Sequence, residues 1–232
     1  MSNANSFSNV ISNLDFSVLT DMLFAVIPAL LCITLHELSH GYVAYRLGDN
    51  TAKNMGRLTL NPIKHIDLFG LVMMVAFKFG WAKPVPVDMR NFKNPKRDMA
   101  ITALAGPVSN IIIGCIALLI LGAASIPCLR HQSEFGMAIF EMIYTTAYLS
   151  FALAVFNIVP IPPLDGSKVL FSLVSDEKYM KLMYYERYGM IALLVLVATG
   201  ILGNPLSSAT KFLLDKFWFL TDWGINLVRM FM

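Results

Sequence analysis

The sequence predicts an all-α polytopic membrane protein with about four transmembrane helices (four to six) and a short membrane-associated β or re-entrant region. Hydrophobic residues make up 56% of the 232-residue chain and charged residues only 14%, against about 25% charged in a typical soluble domain. Mean hydropathy is +0.63. A soluble protein with a very large core would have too little polar sequence to cover its surface. The length favours a single membrane-embedded domain over residues 1–232.

Four apolar stretches are predicted to cross the bilayer. The first runs from about Val18 to Leu47, which is long enough for a hydrocarbon core of ~30 Å. The others cover roughly residues 99–126, 135–159 and 188–202. The tail, 204–232, mixes charged with aromatic residues, which is typical of an amphipathic segment in the membrane interface; a further tilted span is the alternative.

Residues 48–97 are predicted to form a cytoplasmic and partly re-entrant loop. Nine of the 18 Lys and Arg residues lie in it and none precedes Arg46, which indicates a cytoplasmic location under the positive-inside rule. No nucleic-acid partner is predicted, because these charges flank apolar spans and lack a reading motif. The stretch 68–80 is too short to span and is predicted to be re-entrant or interfacial. Residues 56–61 favour a short strand, and 81–87, with two prolines, an edge strand or extended loop.

The strongest chemical signal is the motif His36-Glu37-Leu38-Ser39-His40 in the first span. On a helix, the two histidines share one face and can bind one metal ion, while Glu37 can hold a metal-bound water. Three ionisable groups at membrane depth are costly unless they bind one another or a metal. The motif therefore predicts a metal centre rather than three unrelated polar residues.

A catalytic zinc site usually has three protein ligands, so a third ligand is needed. His65, His131, Asp67 and Asp165 are the candidates. His131 falls in a loop predicted on the opposite side of the membrane. Asp165 follows a proline-rich break at the basic end of the third span, so topology allows it to meet the histidine pair.

Two longer motifs carry a family resemblance. HELSHG (36–41) and NIVPIPPLDG (157–166) together resemble the site-2 protease family of intramembrane zinc metalloproteases, whose motifs HExxH and NxxPxxxLDG are both complete here. NPIKHID, GWAKPVPV and AGPVSN also resemble the small bacterial and archaeal members without a PDZ domain.

The resemblance implies one Zn²⁺ per chain, held by His36, His40 and Asp165, with Glu37 as the catalytic base. It also implies transmembrane protein substrates in the lipid bilayer. We expect a multi-pass protein of the cell membrane whose active site lies toward the cytoplasmic side; the sequence does not indicate an oligomeric state.

Three further residues are weaker candidates. Asn157 is a candidate catalytic group because its amide could donate to the oxyanion; alternatively it satisfies backbone groups freed by Pro160. His65 and Asn110 are candidate substrate-binding residues. The alternatives are a structural role for His65 and close helix packing through Gly106 and Asn110.

The predicted function is hydrolysis of transmembrane substrates within or near the bilayer by an intramembrane zinc metalloendopeptidase. Zinc would activate the water and Glu37 would act as general base. One alternative is a membrane zinc transporter or sensor, which would not need Glu37. Another is an inactive scaffold of the same fold, which the complete set of site residues disfavours.

Overall fold

The computed structural model describes residues 16–70, 80–131 and 133–232, and the predicted all-α class is confirmed. Two short 3₁₀ helices, Pro62–His65 and Met89–Asn91, lie in the long loop. The α-helices in these stretches are α1 (Phe16–Arg46), α2 (Thr51–Asn54), α3 (Pro95–His131), α4 (Glu134–Ile158), α5 (Asp165–Ser172), α6 (Asp176–Ala198), α7 (Gly203–Phe217) and α8 (Phe219–Arg229).

Three helices are long and apolar enough to cross a membrane: α1 over Val26–Arg46, α3 over Pro95–Cys128, and α4 over Glu134–Ile158. Tyr188–Ala198 and Gly203–Arg229 meet the same test only as a pair, which is bent by 87° at the break between them. The fourth span predicted over 188–202 thus corresponds to the first part of a bent pair, and the described chain has three or four candidate spans.

The β contribution is smaller than predicted. In the described ranges the single β contact is an antiparallel bridge between Ile66 and Ala82. The strand predicted over 56–61 is not formed. The Thr59 hydroxyl accepts the Asn61 N–H, and the Asn61 side chain accepts the Ile63 N–H, so side chains take up backbone donors that a strand ladder would use. The predicted re-entrant segment 68–80 lies largely outside the described residues.

Helix α3 is the centre of the bundle and contacts α1, α4, α5 and α8. Leu118 and Phe151 are fully buried in the core between α3 and α4. Gly122 of α3 faces the Thr221 backbone, and Gly224 of α8 faces the Leu119 backbone, so closely that a Cβ would overlap either chain. Small residues permit such backbone contact between membrane helices, and the tail is therefore packed onto the bundle through α8.

One buried carboxylate ties the end of α1 to the segment that precedes α3. Gly48, two residues after the end of α1, has a φ of 113°, a conformation that favours glycine. Asp49 after it is fully buried. The Asp49 carboxylate accepts hydrogen bonds from the N–H of Thr51 at 3.0 Å, the N–H of Asp88 at 2.7 Å and the side-chain amide of Asn91 at 2.7 Å. Residues 88–91 are thereby held beside α1.

We predict that Asp49→Asn destabilises the fold by roughly 1–3 kcal/mol, because a neutral amide leaves buried donors unpaired. Burial raises the pKa of the Asp49 carboxyl, but hydrogen bonds from Thr51, Asn91 and Asp88 outweigh that effect, and the pKa lies below its ordinary value. Because its pKa is lower in the folded than in the unfolded state, ionised Asp49 stabilises the fold at pH values above the unfolded pKa. This stabilisation is lost as the pH falls through the folded pKa. Thermal unfolding in detergent should show that the difference in unfolding temperature between wild type and Asp49→Asn becomes smaller below about pH 4.

Asp176→Asn is the matched control for this prediction. The Asp176 side chain is 90% exposed and pairs with Lys96 at 2.9 Å, and an exposed pair of this kind contributes only about 0–1 kcal/mol. An equal loss of stability in the two variants at neutral pH would contradict the role assigned to Asp49.

Candidate metal centre

His36, His40 and Asp165 meet in the interior of the bundle. The Nε2 atoms of the two histidines lie 3.0 Å apart, and Asp165 Oδ2 lies 3.2 Å from each of them. All three residues are buried. They form a group of side chains that could together bind one metal ion. Of the four third-ligand candidates, the structure brings Asp165 to the histidine pair.

Local structure explains how these distant residues meet. The two histidines are one helical turn apart on α1, so their rings project from the same face. Asp165 is the first residue of α5, directly after the proline-rich break that ends α4. Gly166 faces the carbonyls of Ile158 and Val159 so closely that a Cβ would overlap them. Glycine at this position therefore lets α5 begin against the end of α4 and present Asp165 inward.

The space between the three side chains fits an ion. Gly106 of α3 faces both imidazoles, and a Cβ there would overlap the Nε2 atoms of His36 and His40. Asp165 Oδ2 is buried, and its 3.2 Å contacts with the two Nε2 atoms do not have the geometry of hydrogen bonds, which is costly unless a cation compensates. Tetrahedral zinc with bonds of about 2.0–2.1 Å separates its ligand atoms by about 3.3 Å. The observed separations of 3.0–3.2 Å are close to that value.

Contacts with α3 orient both imidazole rings. The Nδ1–H of His40 donates to the Thr102 carbonyl oxygen at 2.7 Å, which leaves the Nε2 lone pair facing Asp165. His36 Nδ1 lies 3.0 Å from the amide nitrogen of Asn110. Asn110 is fully buried, and its Oδ1 has no partner in the described part of the chain. Turning the amide by half a turn lets Oδ1 accept from His36 Nδ1–H, so that the His36 Nε2 also faces the centre.

Glu37 and Asn157 make different contacts. Glu37 is half-buried, and its Oε2 accepts the backbone N–H of Val85 at 2.8 Å. The Asn157 amide donates to the Leu153 carbonyl of its own helix at 2.9 Å. The structural alternative was that Asn157 satisfies backbone groups freed by Pro160. The Leu153 carbonyl is not one of those groups, so this contact does not support that alternative. Its catalytic role stays a prediction.

The substrate-binding roles of His65 and Asn110 also stay predictions. His65 is buried, and its Nε2 donates to the Thr59 carbonyl oxygen at 2.9 Å, a contact within the loop. Asn110 contacts His36, and with Gly106 it forms the α3 face that packs against the two histidines. The Asp67 carboxylate accepts the Gly70 N–H at 2.8 Å, a contact within a local turn.

Two groups at the site were not predicted from the sequence. Thr102 contacts His40, and Val85 contacts Glu37, in each case through a backbone atom. Backbone groups are common to every residue, so residue type at these positions carries no signal. The only sequence hint was the pair of prolines around Val85, which indicates an extended conformation.

Comparison with known proteins identifies related sequences. A model of Peptidase family M50 matches residues 122–202, which include the NxxPxxxLDG motif and Asp165. A Bacillus subtilis protein named "Putative zinc metalloprotease YwhC" is 40% identical over 180 residues, 78% of this chain and 82% of that protein.

More distant relatives share the same description. A Mycolicibacterium smegmatis protein named "Putative zinc metalloprotease Rip2" is 30% identical over 75% of this chain and 66% of its own length. A zinc metalloprotease of Methanocaldococcus jannaschii is 27% identical over 69% of this chain and 38% of its own length. No solved structure matches the chain.

We predict that Asn110→Leu weakens zinc binding about 10–100-fold, because His36 loses the acceptor that keeps its proton on Nδ1. Asn110→Asp retains an acceptor oxygen and should bind zinc more tightly than Asn110→Leu. Competition with a chromophoric chelator measures the affinities. Ser109→Ala is the control, since its hydroxyl donates to the Gly106 carbonyl within α3. Wild-type affinity in Asn110→Leu would refute the orienting role.

Proposed function

The chain belongs to peptidase family M50, and from this premise we propose that it is a zinc metalloprotease that hydrolyses peptide bonds of transmembrane proteins within or near the bilayer. The observation that carries the proposal is the convergence of His36, His40 and Asp165 in a chain with three or four candidate membrane spans. Glu37, beside His36 in the sequence, completes the groups that metal-assisted hydrolysis needs.

Each side chain has a distinct role in the proposed reaction. His36, His40 and Asp165 would hold one Zn²⁺, which supplies Lewis acidity and a water of lowered pKa. Glu37 would accept a proton from that water and later deliver it to the leaving amine. Its Oε2 already accepts the Val85 N–H, so Oε1 is the oxygen available for proton transfer. Asn157 is proposed as a further donor to the oxyanion.

The position of the site along α1 supports access from the cytoplasmic side. His40 precedes Arg46, the last residue of α1, by six positions, or about 9 Å along the helix. The basic segment 48–97 adjoins that end of the helix and favours the cytoplasm under the positive-inside rule. We therefore propose a multi-pass protein of the cell membrane whose centre lies shallow enough for water to reach it from the cytoplasm.

Transmembrane substrates pose a geometric difficulty, because a helix keeps its peptide bonds hydrogen-bonded and inaccessible. Residues 81–87 are not helical, and Ala82 forms an antiparallel bridge with Ile66. Such a segment can pair with the main chain of an unwound substrate strand, here through carbonyl acceptors, since Pro84 and Pro86 have no N–H and the Val85 N–H is bound by Glu37. The contact of its Val85 with Glu37 places the segment beside the proposed base, which supports this mode of substrate binding.

The transporter or sensor is the second candidate function, and Glu37 distinguishes the two. A binding site for zinc alone requires the three ligands, whereas hydrolysis also requires a base. Two of the relatives carry the name "Putative zinc metalloprotease", which favours the enzyme. Retention of the whole set of site residues disfavours an inactive scaffold.

We predict that Glu37→Gln retains stoichiometric zinc and loses about 10²–10⁴-fold in cleavage rate, because the amide cannot accept the proton. Wild type and variant, purified in detergent, would be assayed for bound zinc and for cleavage of transmembrane peptides with mapped products. Glu177→Gln, at an exposed position in the first turn of α6, is the control. Zinc in both proteins without cleavage by wild type would favour the transporter.

We also predict that Asp165→Ala fails to retain stoichiometric zinc, because the histidine pair alone leaves the ion without its third protein ligand. Atomic emission of the purified protein after dialysis against a weak chelator measures the loss. Asp67→Ala is the matched control, since that carboxylate bonds to the Gly70 N–H. Equal zinc content in the two variants would remove Asp165 from the ligand set.

A further inference from the structure

We propose that the backbone amide of Val85 positions Glu37 for catalysis, and that residues 82–91, here termed the strap, are built to hold that amide in place. This inference rests on the proposed function, because it assigns Glu37 the role of base. It adds a positioning group that belongs to neither the histidine motif nor the Asp165 motif.

The central contact is short and partly shielded. Glu37 Oε2 accepts the Val85 N–H at 2.8 Å, and Val85 is only 8% exposed. A glutamate side chain has several rotatable bonds and loses conformational entropy when it is fixed. A donor fixed at one carboxylate oxygen restricts the side chain and leaves the other oxygen for proton transfer. Preorganisation of this kind accelerates a reaction by avoiding misaligned conformers.

The first end of the strap is held by the loop that follows α2. The Arg57 guanidinium, in a residue only 7% exposed, donates through Nη2 to the Lys83 carbonyl oxygen at 2.8 Å. The Lys83 N–H donates to the His65 carbonyl oxygen at 2.9 Å, and the Ile66–Ala82 bridge lies next to it. Lys83 thus uses both backbone groups, two residues before the amide that contacts Glu37.

The second end of the strap is held by Asp49. Its buried carboxylate accepts the Asp88 N–H and the Asn91 side-chain amide, each at 2.7 Å. Arg57 and Asp49 are therefore two buried charged residues that each bind the strap, one before Val85 and one after it. Glu37 contacts the strap between them. A buried charge needs hydrogen-bond partners. The strap gives the Asp49 carboxylate two donors and gives Arg57 Nη2 one carbonyl acceptor, while Arg57 Nε has no partner among the described residues.

A glycine in the histidine motif lets the strap approach α1. Gly41 directly follows His40, and a Cβ there would lie 2.9 Å from Val85 Cγ1 and 2.7 Å from Leu58 Cδ2. Val85 itself precedes Pro86, which biases its backbone toward an extended conformation. Pro84 and Pro86 have no N–H, so Val85 is the one donor within the sequence Pro84–Pro86.

A rival interpretation of the same contact is that the strap blocks the site and must leave before substrate binds. The two interpretations predict opposite effects. If the Val85 amide positions Glu37, its removal lowers kcat while KM changes little. If the strap blocks the site, removal of the amide raises kcat/KM.

The test compares Val85→Pro, which removes the amide hydrogen, with Val85→Ala, which keeps the amide and removes only side-chain packing. We expect kcat of Val85→Pro to be at least about tenfold below that of Val85→Ala, as for loss of a hydrogen bond to a charged group, with similar KM and full zinc content in both. Arg57→Gln should lower kcat in the same manner, and Arg97→Gln, at an exposed position of α3, should match wild type.

A second measurement reports the contact without activity. Hydrogen–deuterium exchange of the peptide Ala82–Val87 reads two amides only, those of Val85 and Val87, because the amides of a peptide's first two residues are not retained and Pro84 and Pro86 have no N–H. Exchange should accelerate at least about tenfold in Glu37→Ala. It should stay near the wild-type rate in Glu37→Gln, whose side-chain oxygen still accepts a hydrogen bond.

The outcomes separate this inference from the function on which it rests. If wild type cleaves no peptide and Glu37→Gln behaves identically, the proposed function and this inference both fail. If wild type cleaves, equal kcat in Val85→Pro and Val85→Ala overturns this inference alone, as does increased kcat/KM in Val85→Pro. Unchanged exchange in Glu37→Ala also overturns it, because the contact would then not hold the amide.

Discussion

The need to compensate ionisable side chains in an apolar bundle determines how the site is built. His36, His40 and Asp165 come from two chain segments, and their ligand atoms lie within 4.8 Å of one another. None of the three could be buried alone at low cost. For the three side chains to meet, the start of α5 has to pack against the end of α4. Helix α3 likewise has to carry glycine, rather than a larger residue, against the imidazoles.

Helix α3 serves as the platform for the centre. It contributes no proposed ligand, yet three of its residues determine the geometry of the histidines. Gly106 provides the space, Thr102 accepts from His40 through its carbonyl oxygen, and Asn110 contacts His36. The same helix packs closely on α8 through Gly122, so the bundle that supports the centre includes the tail of the chain.

The loop between α1 and α3 is held by hydrogen bonds and by a small apolar cluster, in which Phe92 is buried against Ala44 and Met99. Its described parts are held by Asp49 at the end of α1, by Arg57 after α2, and by Glu37 within the histidine motif. Each of these charged groups contacts backbone atoms of residues 82–91. This arrangement couples the proposed base to a segment far from it in sequence.

The sequence by itself determined the helical membrane class, three of the four predicted spans to within a few residues, and the histidine motif, because hydropathy and the spacing of His36 and His40 are local properties. Residue chemistry narrowed the third ligand to a few candidates and the family resemblance named Asp165, but only the tertiary structure brings Asp165 to the histidine pair. The strand predicted over 56–61 is absent because Thr59 and Asn61 make local side-chain hydrogen bonds. The contacts of Asn110 with His36 and of Val85 with Glu37, by contrast, were decided by tertiary structure. They depend on helix packing and on backbone hydrogen bonds, which residue type does not reveal.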